Sequence, residues 1–101
     1  MVRLLVLYET PEDPEAFDRH YNEVHIPLAR QLPGLLRYTV SRNISATRGG
    51  KAIYLVAELD WENLEALQAA MTSEIGKETT ADVPKFAPTG VTTVSYEVAE
   101  V

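Results

Sequence analysis

Apolar and polar positions change period along the chain in a way that predicts four strands and two principal helices. Val2 to Glu9 carries Val and Leu on both faces, the pattern of a central strand covered on both sides. Thr10-Pro11-Glu12-Asp13-Pro14 interrupts it. Asp13 before Pro14 reads as a helix start, a capping carboxylate followed by proline at the first helical position. Phe17, Tyr21, Val24 and Leu28 then recur at helical spacing and predict one buried face. Pro27 removes an amide donor and disfavours helical geometry at Ile26, so a kink or break is expected between Val24 and Pro27. A short helix from Pro27 to Leu32 should follow, ended by Pro33-Gly34.

Strand-like runs at Leu35 to Ala46 and Lys51 to Asp60 flank Thr47-Arg48-Gly49-Gly50 and predict a hairpin. In its second arm Ile53, Leu55, Ala57 and Leu59 alternate with Tyr54, Val56 and Glu58. The first set should face the helices. Pairing through the turn puts Thr39, Ser41 and Asn43 with Tyr54, Val56 and Glu58 on the other face. Asp60 is expected to cap a second helix whose stripe is Trp61, Leu64, Leu67 and Met71. Thr72 to Val83 reads as a weaker helical or loop segment around Gly76. Pro84 and Pro88 bracket an expected loop carrying Phe86, and Val91 to Val101 is the last strand.

Strand, helix, strand, strand, helix, strand is the α+β, ferredoxin-like split β-α-β (βαββαβ) order, with a four-stranded antiparallel sheet. The helices cover one sheet face only. A second copy of the chain, related by a two-fold axis, is the expected cover for the other.

Composition narrows the class. The 101 residues suit one domain spanning 1–101, and 46% hydrophobic with 24% charged residues argues against disorder. A formal charge of −6 makes phosphate backbones and anionic lipid poor partners, so neither nucleic acid nor membrane is expected. With no cysteine there are no disulfides, thiol nucleophiles or thiolate metal sites, which fits a cytoplasmic setting. The short apolar run at the N-terminus reads as a buried strand rather than a signal peptide.

The run from Ala16 to Ala29, which contains His25-Ile26-Pro27-Leu28, leads into Leu32-Pro33-Gly34-Leu35. It resembles the EthD family, named for a protein associated with ethyl tert-butyl ether degradation. Ala81-Asp82-Val83-Pro84-Lys85-Phe86 looks like that family's later motif, and the similarity covers nearly the whole chain. The resemblance implies a dimeric α+β barrel in which two sheets pack face to face, each protomer holding a cavity between sheet and helices. Its superfamily includes cofactor-free monooxygenases, haem-degrading enzymes, lactone isomerases and polyketide cyclases. Some fungal EthD relatives are assigned as dehydratases or decarboxylases. Fold alone does not choose among these.

His25 is the leading candidate for chemistry, because an imidazole near neutral pH can shuttle protons. If the helix breaks before Pro27, His25 lies near a new helix N-terminus, whose dipole favours the neutral base. The competing reading is a structural histidine holding a backbone carbonyl freed by Pro27. His20 and His25 should fall on opposite borders of the apolar stripe, so His20 is read as a boundary residue and no metal site is expected. Tyr54 is the candidate to orient a phenol or carbonyl, among Thr39, Ser41, Asn43 and Glu58; packing at a dimer interface is its competing role. Tyr21 and Phe86 are assigned to a pocket for a small hydrophobic or aromatic ligand. No cofactor is expected. Three functions remain open: a cofactor-free enzyme, a non-catalytic ligand-sequestering accessory protein, and a haem binder with His25 as axial ligand.

Overall fold

The computed structural model describes residues 1–101. Its elements are β1 (Val2–Glu9), α1 (Pro14–His20), a π-helical turn (Tyr21–His25), α2 (Ile26–Ala29), β2 (Arg37–Val40), β3 (Ile53–Trp61), α3 (Leu64–Thr72), α4 (Glu74–Phe86) and β4 (Val91–Glu97). The strands form one antiparallel sheet in the order β2-β3-β1-β4. This is the ferredoxin-like arrangement, with all helical segments on one side.

The sheet register explains which residues enter the core. Val2, Val6 and Tyr8 of β1 stand opposite Trp61, Ala57 and Leu55 of β3. Residues directly opposite share a face, so these point toward the helices. Phe17, Tyr21, Ala29, Leu32, Leu67, Ala70 and Phe86 close over them. Each large apolar side chain buried there contributes about 1.5–3 kcal/mol.

Asp13 starts α1 as expected, its carboxylate accepting from the Ala16 amide at 3.2 Å. Of the kink or break expected between Val24 and Pro27, the break does not occur. Tyr21–His25 instead forms a π turn in which the Ile26 amide reaches back to the Tyr21 carbonyl. Ile26 itself stays helical at φ −58° and ψ −50°. In a regular helix the Pro27 ring would press on the carbonyl four residues earlier; the widened turn relieves that contact. The extra residue also rotates the stripe. Val24 is 45% exposed, while Phe17, Tyr21, His25 and Ala29 point inward.

Other elements differ from the sequence expectation in bounds or kind. β2 stops at Val40, because the Ser, Thr, Asn and Gly that follow have little to bury. β3 continues to Trp61, so Asp60 is a strand residue and not a helix cap. It is buried and accepts from Arg3 Nε at 2.8 Å and Nη2 at 3.1 Å. Asn63 caps α3, accepting from the Ala66 amide at 2.9 Å. Leu64 is exposed; Leu67 and Ala70 form the stripe, and the Trp61 indole N–H donates to the Pro33 carbonyl at 2.9 Å. The expected weak segment and loop are one helix, α4, with Ser73 as cap, Pro84 inside and Phe86 at its end. Gly76 marks the α3–α4 crossing: a Cβ there would collide with the backbone carbonyls of Ala70 and Met71. β4 ends at Glu97.

The open sheet face carries Leu5, Leu7, Val56, Val94 and Tyr96, together with Thr39 and Glu58, as the register requires. Val94 and Tyr96 remain exposed.

Candidate functional site

Two histidines and one carboxylate meet beneath the first helical segment. His20 Nε2 lies 2.9 Å from Asp82 Oδ1, and His25 Nδ1 lies 3.0 Å from Asp82 Oδ2. Residues five apart on a regular helix point about 140° away from each other. The π turn between them removes that divergence, and both rings reach the same residue of α4. The expectation that His20 would stay at the boundary, away from His25, is therefore corrected. So is the alternative that His25 holds a freed backbone carbonyl, since its partner is the Asp82 carboxylate. Nor does His25 start a new helix. His20 is partly exposed, whereas His25 and Asp82 are buried.

The hydrogen bonds fix the protonation pattern. Burial works to raise the Asp82 pKa, but the bonds from His20 and His25 outweigh it and hold the carboxyl below its ordinary value. The ionised carboxylate can only accept, so His20 Nε2 and His25 Nδ1 both carry hydrogen. His25 Nε2 is left with its lone pair. Burial lowers the His25 pKa, with Asp82 partly opposing it, so the ring is neutral at neutral pH. No sealed side-chain nitrogen or oxygen lacks a partner. His25 Nε2 has no partner in the protein, so it opens onto space that solvent or a ligand can reach. Phe86 holds both rings, stacked on His20 at 5.4 Å and edge-on to His25 at 4.8 Å between centroids. No group of three or more His, Asp or Glu side chains is disposed to hold a metal ion.

Two buried tyrosines, Tyr8 and Tyr21, and the half-buried Tyr38 adjoin this cluster. The Tyr21 and Tyr38 hydroxyls are 2.7 Å apart, and the Tyr21 ring lies 5.2 Å from His25. Tyr8 packs on Phe17, Tyr21 and Phe86. Burial pushes the pKa of all three upward, so each stays protonated.

A cleft of about 700 Å³ runs between the end of β1, α1 and the α4–β4 connection. Tyr8, Phe17, His20 and Phe86 form its inner wall; Glu9, Arg19, Glu23 and Lys85 line its mouth. A second cleft, about 560 Å³, lies beyond Tyr21 and is bordered by Ser41, Asn43, Tyr54 and Asp18.

The predicted site residues thus separate. Phe86 and His25 come together, with Tyr21 beside them. Tyr54 does not share the open sheet face with Thr39 and Glu58. A bulge sets Glu9 opposite Ile53 and Tyr8 opposite Leu55, leaving Tyr54 unpaired and turned to the helix side. It packs on Phe17, and its hydroxyl donates to both Asp18 carboxylate oxygens at 2.8 and 2.9 Å. Thr39 donates to Glu58 at 3.3 Å on the open face, where Glu58 also approaches Arg3 at 3.6 Å. Ser41 Oγ extends the ladder by accepting from the Val56 amide at 2.9 Å. Asn43 sits in the exposed connection with φ 51°. Sequence reasoning missed Asp82 as a site residue. Its signal was a carboxylate on the inward stripe Thr79, Asp82, Phe86, inside the tail motif quoted above.

Comparison with known proteins agrees with this architecture. The model of the EthD domain matches residues 9–90. A Rhodococcus erythropolis protein, described as an uncharacterized 11.0 kDa protein in the thcB-thcC intergenic region, is 36% identical over 92 residues, 91% of this chain and 89% of that one. The crystal structure of an EthD family protein from Bacillus halodurans is 40% identical with a TM-score of 0.90, covering 98% of this chain and 99% of that one. SnoaB of Streptomyces nogalater, described as a cofactor-independent oxygenase, shares the fold at 14% identity and a TM-score of 0.67, over 99% of this chain and 94% of that one.

Proposed function

The chain belongs to the EthD domain family, and from that premise we propose that it binds a small hydrophobic or aromatic oxygenated compound and removes a proton from it without a cofactor. One observation carries the reading: a buried carboxylate, Asp82, fixes His25 through Nδ1 and leaves Nε2 as a free lone pair beside aromatic walls. A general base needs that combination of orientation, neutrality and access. Proton removal at Nε2 creates an imidazolium, and Asp82 stabilises it across the same hydrogen bond. Enolisation, dehydration and addition of oxygen to a carbanion share this first step. The cofactor-independent oxygenase of the same fold is in keeping with it.

Tyr21 and Phe86 shape the ligand's surroundings, and His20 holds the far side of Asp82 from the cleft wall. Tyr54 drops out of the chemistry because its hydroxyl is committed to Asp18. The protein works as a homodimer, in which a second copy covers the apolar sheet face centred on Leu5, Leu7, Val56 and Val94.

The test is hydrogen–deuterium exchange of 2-tetralone, an aromatic ketone with an acidic benzylic position, followed by proton NMR in deuterated buffer. The wild-type protein should accelerate exchange, and His25→Gln should lower the acceleration roughly 100-fold or more while the protein stays folded. Binding of the ketone with no acceleration would make the protein a carrier rather than a catalyst. Acceleration that survives in His25→Gln would remove His25 from the role of base.

A further inference from the structure

The proton-transfer step uses none of the three tyrosine hydroxyls beside it, and their bonding is incomplete. Tyr21 and Tyr38 share one hydrogen bond at 2.7 Å. One of the two donates to the other, so one O–H proton is left to give elsewhere. Tyr8 is 2% exposed, yet its hydroxyl makes no hydrogen bond to the protein. No sealed oxygen lacks a partner, so this hydroxyl too faces accessible space. Its ring lies 5.6 Å from that of Tyr21, which carries the hydroxyl pair. A buried polar group that the protein leaves unsatisfied calls for a partner from outside.

We propose that Tyr8 and the Tyr21–Tyr38 pair form an oxyanion receptor, which takes the oxygen of a phenol or enolisable ketone as its phenolate or enolate. The inference rests on His25 acting as the base and names the ligand class of that same site. In the step, the O–H or Cα–H bond of the ligand breaks and an N–H bond forms at His25 Nε2. The electron pair stays on the ligand and comes to rest on oxygen. The imidazolium pairs with Asp82, so the site and ligand together keep their net charge, and no oxidant or reductant is consumed. Burial keeps the tyrosines protonated, so they donate to the anion and do not compete for the proton. Donors already aimed at the place where charge develops are the most effective way to stabilise it.

The probe is 4-nitrophenol, whose phenolate is yellow and whose phenol is not. Above its own pKa the probe is already ionised and needs no base. There, wild type should bind it, and Tyr8→Phe should bind it roughly 10-fold or more weakly, as loss of a hydrogen bond to a charged group implies. The double variant Tyr21→Phe/Tyr38→Phe, which removes both hydroxyls of the pair and with them its spare proton, should show a drop of similar size and serves if Tyr8→Phe does not fold. Below the probe's pKa, wild type should still turn it yellow on binding, whereas in His25→Gln, which must draw the phenolate from solution, the yellowing should weaken about tenfold for each pH unit. Failure of the wild type to bind the phenolate, or equal binding by the two folded tyrosine variants, would overturn the receptor. If His25→Gln yellows the probe as strongly as wild type below that pKa and still exchanges 2-tetralone, the base assignment fails while the receptor stands.

Discussion

At the scale of single residues, the site is a competition between burial and one carboxylate. Burial disfavours the charged form of His25 and lowers its pKa from 6.5. The unfolded chain therefore takes up this proton first as pH falls. His25 leaves stability undiminished above about 6.5 and withdraws it as pH drops through 6.5 toward the lower folded-state value. Asp82 is also held below its ordinary 3.8, so its contribution is present above 3.8 and is lost as pH falls through its folded value. Urea denaturation across pH should show the midpoint falling first just below pH 6.5. His25→Gln should remove that first decline and leave the more acidic one. An unchanged profile would place the buried imidazole's protonation elsewhere. His25 could be picked out as a candidate in the sequence because imidazole is rare and chemically distinctive. Asp82 was not, since its link to His25 spans 57 residues and only tertiary packing creates it.

At the scale of elements, two local irregularities decide where functional groups point. The π turn at Tyr21–His25 brings His20 and His25 onto one carboxylate, and the β3 bulge turns Tyr54 away from the sheet face its alternation predicted. Both insert one residue into a regular period. Pro27 signalled a disturbance, but steric reasoning there favours a break as much as a widened turn. The bulge carries no turn residue to announce it. The four strands and the helices that start near Pro14 and Leu64 were legible, because periods of two and 3.6 are strong over these lengths; α4 was not, since Gly76 and Pro84 lie inside it. Gly76 offers an element-scale prediction. An alanine inside a helix ordinarily gains about 1 kcal/mol over glycine. Here the added methyl meets the carbonyls of Ala70 and Met71 at the α3–α4 crossing. Gly76→Ala should instead lower stability by about 1–3 kcal/mol in thermal melts followed by circular dichroism. A higher melting temperature would mean that the helices separate freely at this point.

At the scale of the molecule, the sheet divides the work: one face packs on the helices and holds the candidate site, the other is open and sets an apolar strip of Leu5, Leu7, Val56 and Val94 beside Thr39 and Glu58. That division was legible from the βαββαβ order. The hydrogen bonds within the site were not, because they join α1 and the π turn to α4 across the length of the chain. The open face yields its own prediction. Val94 is 45% exposed on that face, midway along the edge strand β4 and paired with Leu5. Val94→Asp would bury a charge if a second copy covers it, so light scattering should shift from a dimer toward the 11.2 kDa monomer. A dimer that persists would place the interface elsewhere. The account as a whole depends on the state of one ring, held between two distant helices. Nitrogen-15 NMR of the two labelled histidines at neutral pH reads that state directly. His25 should be neutral, with hydrogen on Nδ1 and a bare Nε2, and Asp82→Asn should disturb this pattern. A His25 that carries hydrogen on Nε2, or is fully charged at neutral pH, would contradict the base on which the proposed chemistry stands.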